Sequence, residues 1–278
     1  MATPLQVIVY IITQNPRGDA TKNVKRLFQN QLFHIHRLSI DDNNLEAKNV
    51  NEETRELAHI TGCLRHSKEN FPNHHFIIIK DTSVSVAGSD KIASAISKCI
   101  NMGGWDVFYL CEWQERCDLL NNFTSLDDSS GLSAAKTNNA KGIQALLISP
   151  EGREMLLGDK PLRNGKIIQF EGNVSNTLAS AVEDGAVLAQ TTIPNIINYD
   201  ITQATVPRDF LKGAQCAPPP GVTSYQQTGL VPIVPAAAPT SGTNWWLWII
   251  VMIIIIIIII AIVAYWRRKK AEDEAIED

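Results

Sequence analysis

A run of twenty-two uncharged residues near the end of the chain, residues 245–266, constrains this sequence more than any other feature. The run contains eight consecutive isoleucines, Ile253 to Ile260. At about 1.5 Å per residue, a helix of this length spans about 33 Å, the hydrocarbon thickness of a bilayer. We therefore predict one C-terminal transmembrane helix, a pattern that argues against a freely soluble enzyme. Aromatic residues suited to the two membrane interfaces stand at its ends: Trp245, Trp246, Trp248, Tyr265 and Trp266.

The orientation of this anchor has two opposing indications. Arg267 and Arg268 begin a basic cluster, which alone would place the short tail in the cytosol. Only twelve residues follow the span, however, and the N-terminus shows no signal peptide. Such a chain would leave the ribosome before its anchor is read and would insert tail first. We therefore expect a single-pass membrane protein whose globular domain faces the cytosol.

The remaining chain divides by composition. Residues 1–212 mix charged and apolar residues as a globular domain does, whereas residues 213–244 carry no charge and contain six prolines. Proline blocks helices and removes backbone donors, so this stretch predicts an extended linker. Residues 267–278 form a basic and then acidic tail. The net charge of −4 argues against nucleic acid as a partner.

Apolar periodicity predicts an α/β fold for residues 1–212. Short β-branched runs alternate with segments whose apolar residues recur at helical spacing, a pattern typical of a mostly parallel sheet with helices on both faces. The predicted strands cover residues 6–12, 34–40, 75–79, 105–110 and 142–148, and the predicted helices cover residues 21–31, 52–68, 92–100 and 151–157.

Several short motifs, in order, resemble the glycosyltransferase family 25 domain, the group that contains lipooligosaccharide and collagen galactosyltransferases. The matching stretches are TQNPR at 13–17, ITGCLRHS at 60–67, FIIIKDTSV at 76–84, WDVFYL at 105–110, ALLISPEG at 145–152 and the proline-containing segment 187–195. Each motif alone is weak, and their order carries the resemblance. It implies a nucleotide-sugar-binding α/β domain with a divalent metal, usually manganese, on an acidic motif.

The sequence departs from that family where the metal would bind. The acidic triplet is replaced by Lys80, Asp81 and Thr82, and a protonated lysine repels a cation. We favour a local role for Asp81, capping the next turn or pairing with Lys80. In one alternative Asp81 ligates a metal, and in another Lys80 binds phosphate as a point charge and replaces the metal. Asp106 either positions a substrate or caps the start of its strand.

Cysteine and histidine residues offer further candidate chemistry. His59, Cys63 and His66 share one predicted helix face at a spacing that permits zinc, but no fourth ligand is evident, and we favour packing against the sheet. The histidine pair at 34 and 36 is interpreted as ordinary polar residues. Acidic neighbours make Cys111 a poor nucleophile.

Two functions from different classes follow. The first is a catalytically inactive, glycosyltransferase-like scaffold that needs no cofactor and links a lipid bilayer to a protein layer. With a reduced enzyme-like fold that ends in a poly-isoleucine anchor, the chain resembles proteins of large DNA viruses with an internal membrane. That resemblance implies a minor capsid or virion membrane protein. The alternative is an active, membrane-bound hexosyltransferase that uses manganese and a nucleotide-sugar donor.

Overall fold

The computed structural model describes residues 6–13, 17–36, 51–85, 87–113, 120–127, 131–170 and 172–200. All of these belong to the first of two units, Met1–Pro232 and Ile233–Asp278. The proline-rich linker, the predicted membrane segment with Trp245 to Arg268, and the charged tail lie outside the described residues. None of the helices that are described is long and apolar enough to cross a membrane.

Ten strands and five helices make up the described part of the chain. The strands are β1 (Val7–Ile12), β2 (Phe33–His36), β3 (Phe76–Lys80), β4 (Ser83–Val84), β5 (Val107–Trp113), β6 (Asn121–Asp127), β7 (Leu132–Thr137), β8 (Lys141–Ile148), β9 (Ala189–Ile193) and β10 (Asn198–Tyr199). The helices are α1 (Asp19–Leu27), α2 (Glu52–Asn70), α3 (Ser89–Met102), α4 (Pro150–Leu156) and α5 (Val174–Glu183).

Eight strands form one sheet in the order β2-β1-β3-β8-β5-β9-β7-β6, and β4 pairs with β10 in a separate small ladder. Six of the eight strands run in the same direction, whereas β7 and β8 run against them. β8 lies between β3 and β5, so Phe76 and Val107 both pair with Ile148. This shared register fixes which residues of β3 and β5 end at the same edge of the sheet.

Both faces of the sheet are buried, as the continuous apolar strands require. In β1, Val7 and Val9 face one core, which α1 and α3 cover, and Ile8 and Tyr10 face the other core, which α2, α4 and α5 cover. The result is a three-layer arrangement with helices on both faces, as the sequence predicts.

Helices on the second face begin at side chains that cap their free backbone amides. The Asn51 side chain accepts a hydrogen bond from the Thr54 amide (2.8 Å) at α2, and the Ser149 hydroxyl accepts one from the Gly152 amide (2.9 Å) at α4. Such caps satisfy amides that have no partner within the helix. They fix where α2 and α4 start and therefore which of their side chains face the sheet.

Candidate functional site

The candidate site lies at the carboxyl edge of the sheet, where open α/β sheets place their ligands. β3 ends there with Lys80, and Asp81 follows it next to the end of β1. The Asp81 amide donates to the Ile12 carbonyl (3.0 Å), and the Thr13 hydroxyl donates to Asp81 Oδ2 (2.5 Å). Asp81 therefore ties the ends of β1 and β3 together.

Lys80 is turned away from Asp81. Its ammonium forms an ion pair with Glu56 of α2, and the side chains are only 26% and 20% exposed. Successive residues of an extended chain point to opposite faces, so Lys80 and Asp81 meet different partners. The expectation that Asp81 pairs with Lys80 is thus corrected: Lys80 pairs with Glu56, and Asp81 pairs with Thr13.

Thr82 also has an internal partner. The Gln144 side-chain amide on β8 donates to Thr82 Oγ1 (3.0 Å) and to Ser83 Oγ (2.7 Å). Gln144 is fully buried, and among the described residues its Oε1 has no hydrogen-bond partner. Thr82 is therefore part of a polar cluster with Ser83 and the buried Gln144, a cluster that no sequence pattern predicts.

A buried acid completes this edge. Glu112 lies in β5 with 2% of its surface exposed, and its backbone amide and carbonyl bond to the Asn195 side chain at 3.3 and 2.9 Å. From the sequence, Glu112 is interpreted only as an acidic neighbour of Cys111. A carboxylate inside an otherwise apolar strand was the available signal.

The surroundings of this edge keep the Cys111 thiol and the Tyr199 phenol protonated. Burial, and then the nearby Glu112, raises the pKa of the Cys111 thiol. Burial, followed by Cys111 and Glu56, raises the pKa of Tyr199. Neither group becomes an anion near neutral pH, so neither is a ready nucleophile.

The donor set does not fit the manganese that the family resemblance implies. Among the described residues, no group of three histidine, cysteine, aspartate or glutamate side chains could hold a metal ion. Asp81 is the one acid among Lys80, Asp81 and Thr82 and is engaged by Thr13, while Lys80 lies beside it in sequence. A hard divalent cation needs several oxygen ligands and no adjacent cation.

Asp106, the second candidate catalytic residue, lies at the opposite edge of the sheet. It precedes β5, whose first residue is level with Phe76, whereas Asp81 follows the last residue of β3. Asp106 is therefore level with residue 75, six residues before Asp81, and at about 3.3 Å per residue the two aspartates are separated by about 20 Å along the strands. The structure does not bring the two candidates into one site.

The Asp106 carboxylate has a structural environment. It is 1% exposed, and Arg163 donates to both of its oxygens, at 3.1 and 2.9 Å. The Leu188 amide adds a third hydrogen bond (2.8 Å). Of the two roles considered for Asp106, this geometry favours the one at the start of the strand.

The zinc alternative on α2 is not supported. Cys63 packs in the apolar core, and burial raises its pKa to about 12. His66 Nδ1 is hydrogen-bonded to the Tyr10 hydroxyl (3.0 Å). Packing against the sheet therefore describes Cys63 and His66 better than metal ligation.

Comparisons with known proteins do not assign a family. No protein-family model matches the chain, and no curated protein matches its sequence. Among solved structures, the chain is similar to A197 from STIV, with 10% identity and a TM-score of 0.37 over 67% of this chain and 81% of that one. It is also similar to a UDP-glucose pyrophosphorylase complexed with UDP-glucose, with 11% identity and a TM-score of 0.29 over 70% and 72%. Both likenesses are too weak to assign an activity, a ligand or a partner.

Proposed function

We propose that this chain is a membrane-anchored, non-catalytic scaffold with a nucleotide-sugar-transferase-like α/β domain, linking a lipid bilayer to a protein layer. One observation carries the proposal. All three residues at the position of the acidic motif are engaged by other side chains of the chain: Lys80 by Glu56, Asp81 by Thr13 and Thr82 by Gln144.

Engagement of these residues opposes ligand binding. A metal or a diphosphate would have to compete with the Glu56 carboxylate for Lys80 and with the Thr13 hydroxyl for Asp81. Each contact lies partly out of water, where an unpaired charge is costly. A core retained without its chemistry is consistent with a domain whose outer surfaces are what function requires.

The linker supports a role in bridging two layers. Residues 213–244 contain six prolines and no charge. In an extended polyproline conformation of about 3.1 Å per residue, thirty-two residues reach about 100 Å. The domain could therefore contact a protein layer well away from the bilayer, as a minor capsid protein above an internal virion membrane would need to do.

Membrane attachment is tested by extraction. We expect the full chain to stay with membranes in alkaline carbonate and a variant ending at Asn244 to be released. Release of the full chain by carbonate would contradict the anchor. If the full chain stays in the membrane but no membrane-associated protein assembly co-purifies with it, the linking role would be wrong.

The orientation of the domain is tested at its two glycosylation sequons. Asn173 caps α5, its Oδ1 accepting from the Asn176 amide (3.1 Å) and its Nδ2 donating to Glu53 (3.3 Å). Asn122 is exposed on β6 and is the better reporter. In eukaryotic expression we expect no glycan at Asn122, because the domain faces the cytosol. A glycan there would place the domain in the lumen.

The second candidate is an active transferase, which the two buried polar side chains Glu112 and Gln144 at the carboxyl edge favour. In that case Asp81 would bind metal or ribose, Lys80 phosphate, and Asp106 would position substrate. We expect the chain to turn over no nucleotide-sugar donor with manganese. Turnover that is lost in Asp81→Ala would establish this candidate instead.

A further inference from the structure

Four imidazoles from different parts of the chain gather around one aromatic ring, independently of the site above. The centroids of His34 and His36 on β2, His66 on α2 and His74 before β3 lie 6.2, 5.8, 6.1 and 5.9 Å from that of Phe71. β2 is an edge strand of the sheet. The cluster therefore joins an edge strand to the end of the helix that covers it.

The closest pair in this cluster is His36 and His66. Their ring centroids are 4.3 Å apart with an angle of 33° between the planes. The buried Tyr10 hydroxyl is hydrogen-bonded to His66 Nδ1 (3.0 Å), and the Tyr10 ring packs edge-on against both imidazoles. Burial raises the pKa of Tyr10, so the phenol stays neutral and offers no negative charge to a protonated histidine.

A cation lies behind the cluster in the described part of the chain. The Arg153 guanidinium of α4 donates to the carbonyls of Ser67 (3.2 Å), Phe71 (3.1 Å) and Pro72 (2.5 Å). Its acidic neighbour Glu154 bonds to that guanidinium (3.3 Å) and also to Lys68. Among the contacts of the imidazole rings in the described residues, none is to a carboxylate.

We propose that the His36–His66 stack is a pH-sensitive latch that holds edge strand β2 against α2 in neutral conditions and releases it in acid. Two imidazolium rings at this separation repel each other, and Tyr10, His34, His74 and Arg153 supply no counter-charge. Release would uncover the hydrogen-bonding edge of β1, which pairs with β2 from Val7 to Tyr10. An uncovered edge is a site for pairing with another strand.

The direction of the effect follows from linkage. Burial, then His66, then His34, lowers the pKa of His36 in the folded chain. The unfolded or released state therefore binds more protons, so the latch is fully stable above the ordinary histidine pKa. Its stability is lost as the pH falls below that value, where aspartate and glutamate still carry their charge.

The test is amide hydrogen exchange on the full chain in detergent, with EDTA present to exclude metal binding by the imidazoles. After correction for intrinsic rates, we expect protection of β2 to fall at least about tenfold between about pH 7.5 and pH 5.5. In His36→Gln the same change should be much smaller, because the titrating ring is absent. Unchanged protection of β2 in the unmodified chain would overturn the proposal.

His75→Gln is the matched control. Burial and His74 also lower the pKa of His75, but its ring packs against Trp105 (5.5 Å) on the other side of β3. We expect this variant to keep the acid-induced opening of β2, and loss of the opening would contradict a latch at His36. If His36→Gln does not fold, NMR titration of the unmodified chain decides: His36 must titrate below its ordinary range together with the opening of β2, and titration in the ordinary range would overturn the proposal.

Discussion

Asp81 and Asp106 lie at opposite ends of the three neighbouring strands β3, β8 and β5, and their surroundings differ. Asp106, at the amino edge, is buried and held by a two-point contact from Arg163 and by a backbone amide. Asp81, at the carboxyl edge, is held through one hydroxyl and a backbone contact to β1. At the amino edge, Asp106 joins separate parts of the fold through several hydrogen bonds. At the carboxyl edge, the polar side chains only pair with one another. Stability should therefore depend more on Asp106 than on Asp81.

The largest effect is expected for Asp106→Ala. Removing the carboxylate leaves the Leu188 amide and the Arg163 guanidinium without their acceptor. Asp106 is buried but the Arg163 side chain is 39% exposed and can be hydrated, so we expect a loss of about 3–4 kcal/mol, in the lower part of the range for a fully buried pair. Urea unfolding followed by circular dichroism measures the loss. Asp159→Ala is the control, since Asp159 makes an exposed ion pair with Lys68 and its loss should cost under about 1 kcal/mol. Equal losses in the two variants would contradict the difference between buried and exposed acids.

A slightly smaller loss of folding stability is expected for Gly152→Ala. This variant adds a methyl group at the amino edge instead of removing a charge. A Cβ at Gly152 would overlap the backbone carbonyl of Asp106, which also accepts from the Ser149 amide (3.0 Å). Backbone cannot rotate away, so we expect a cost of about 3 kcal/mol. In Gly88→Ala the new methyl meets nothing within 4 Å, and the loss should stay below about 1 kcal/mol. A tolerated Gly152→Ala would mean that α4 is not packed closely against Asp106.

The smallest loss is expected for Asp81→Ala at the carboxyl edge. It removes one hydrogen bond to a charged, partly buried acceptor, for about 1–2 kcal/mol. The partner is checked by a double-mutant cycle with Thr13→Val, in which the double variant should lose less than the sum of the two single losses. A loss as large as that of Asp106→Ala would remove the contrast between the two edges.

Much of the fold could be predicted because the spacing of apolar residues along the sequence indicates which residues are buried. The predicted strand at residues 6–12 corresponds to β1, and the predicted helix at residues 52–68 corresponds to α2. Alternation does not record direction, so the reversed course of β8 could not be predicted. β7 is not predicted from the sequence, because its alanine-rich segment lacks large apolar residues. α5 is not among the predicted helices either, although its apolar residues recur at helical spacing.

The sequence predicts that Lys80 and Asp81 stand at the end of a strand, but it does not predict their contacts. Lys80 and Asp81 do end a strand at the carboxyl edge, as the resemblance implied. Their partners Glu56 and Thr13 are distant in sequence, and no local pattern joins them. Glu56 stands four residues before the buried Ile60 of α2, a spacing that indicates a side chain on the same helix face.

The central claim of the proposed function is that the carboxyl edge does not bind a nucleotide sugar, and calorimetric titration tests it most directly. The full chain in detergent is titrated with UDP-glucose and with UDP-galactose, each with and without manganese. We expect no binding up to about 1 mM of either compound, because Lys80, Asp81 and Thr82 are already engaged. Manganese-dependent binding in the micromolar range that Asp81→Ala abolishes would contradict the account and establish a working donor site.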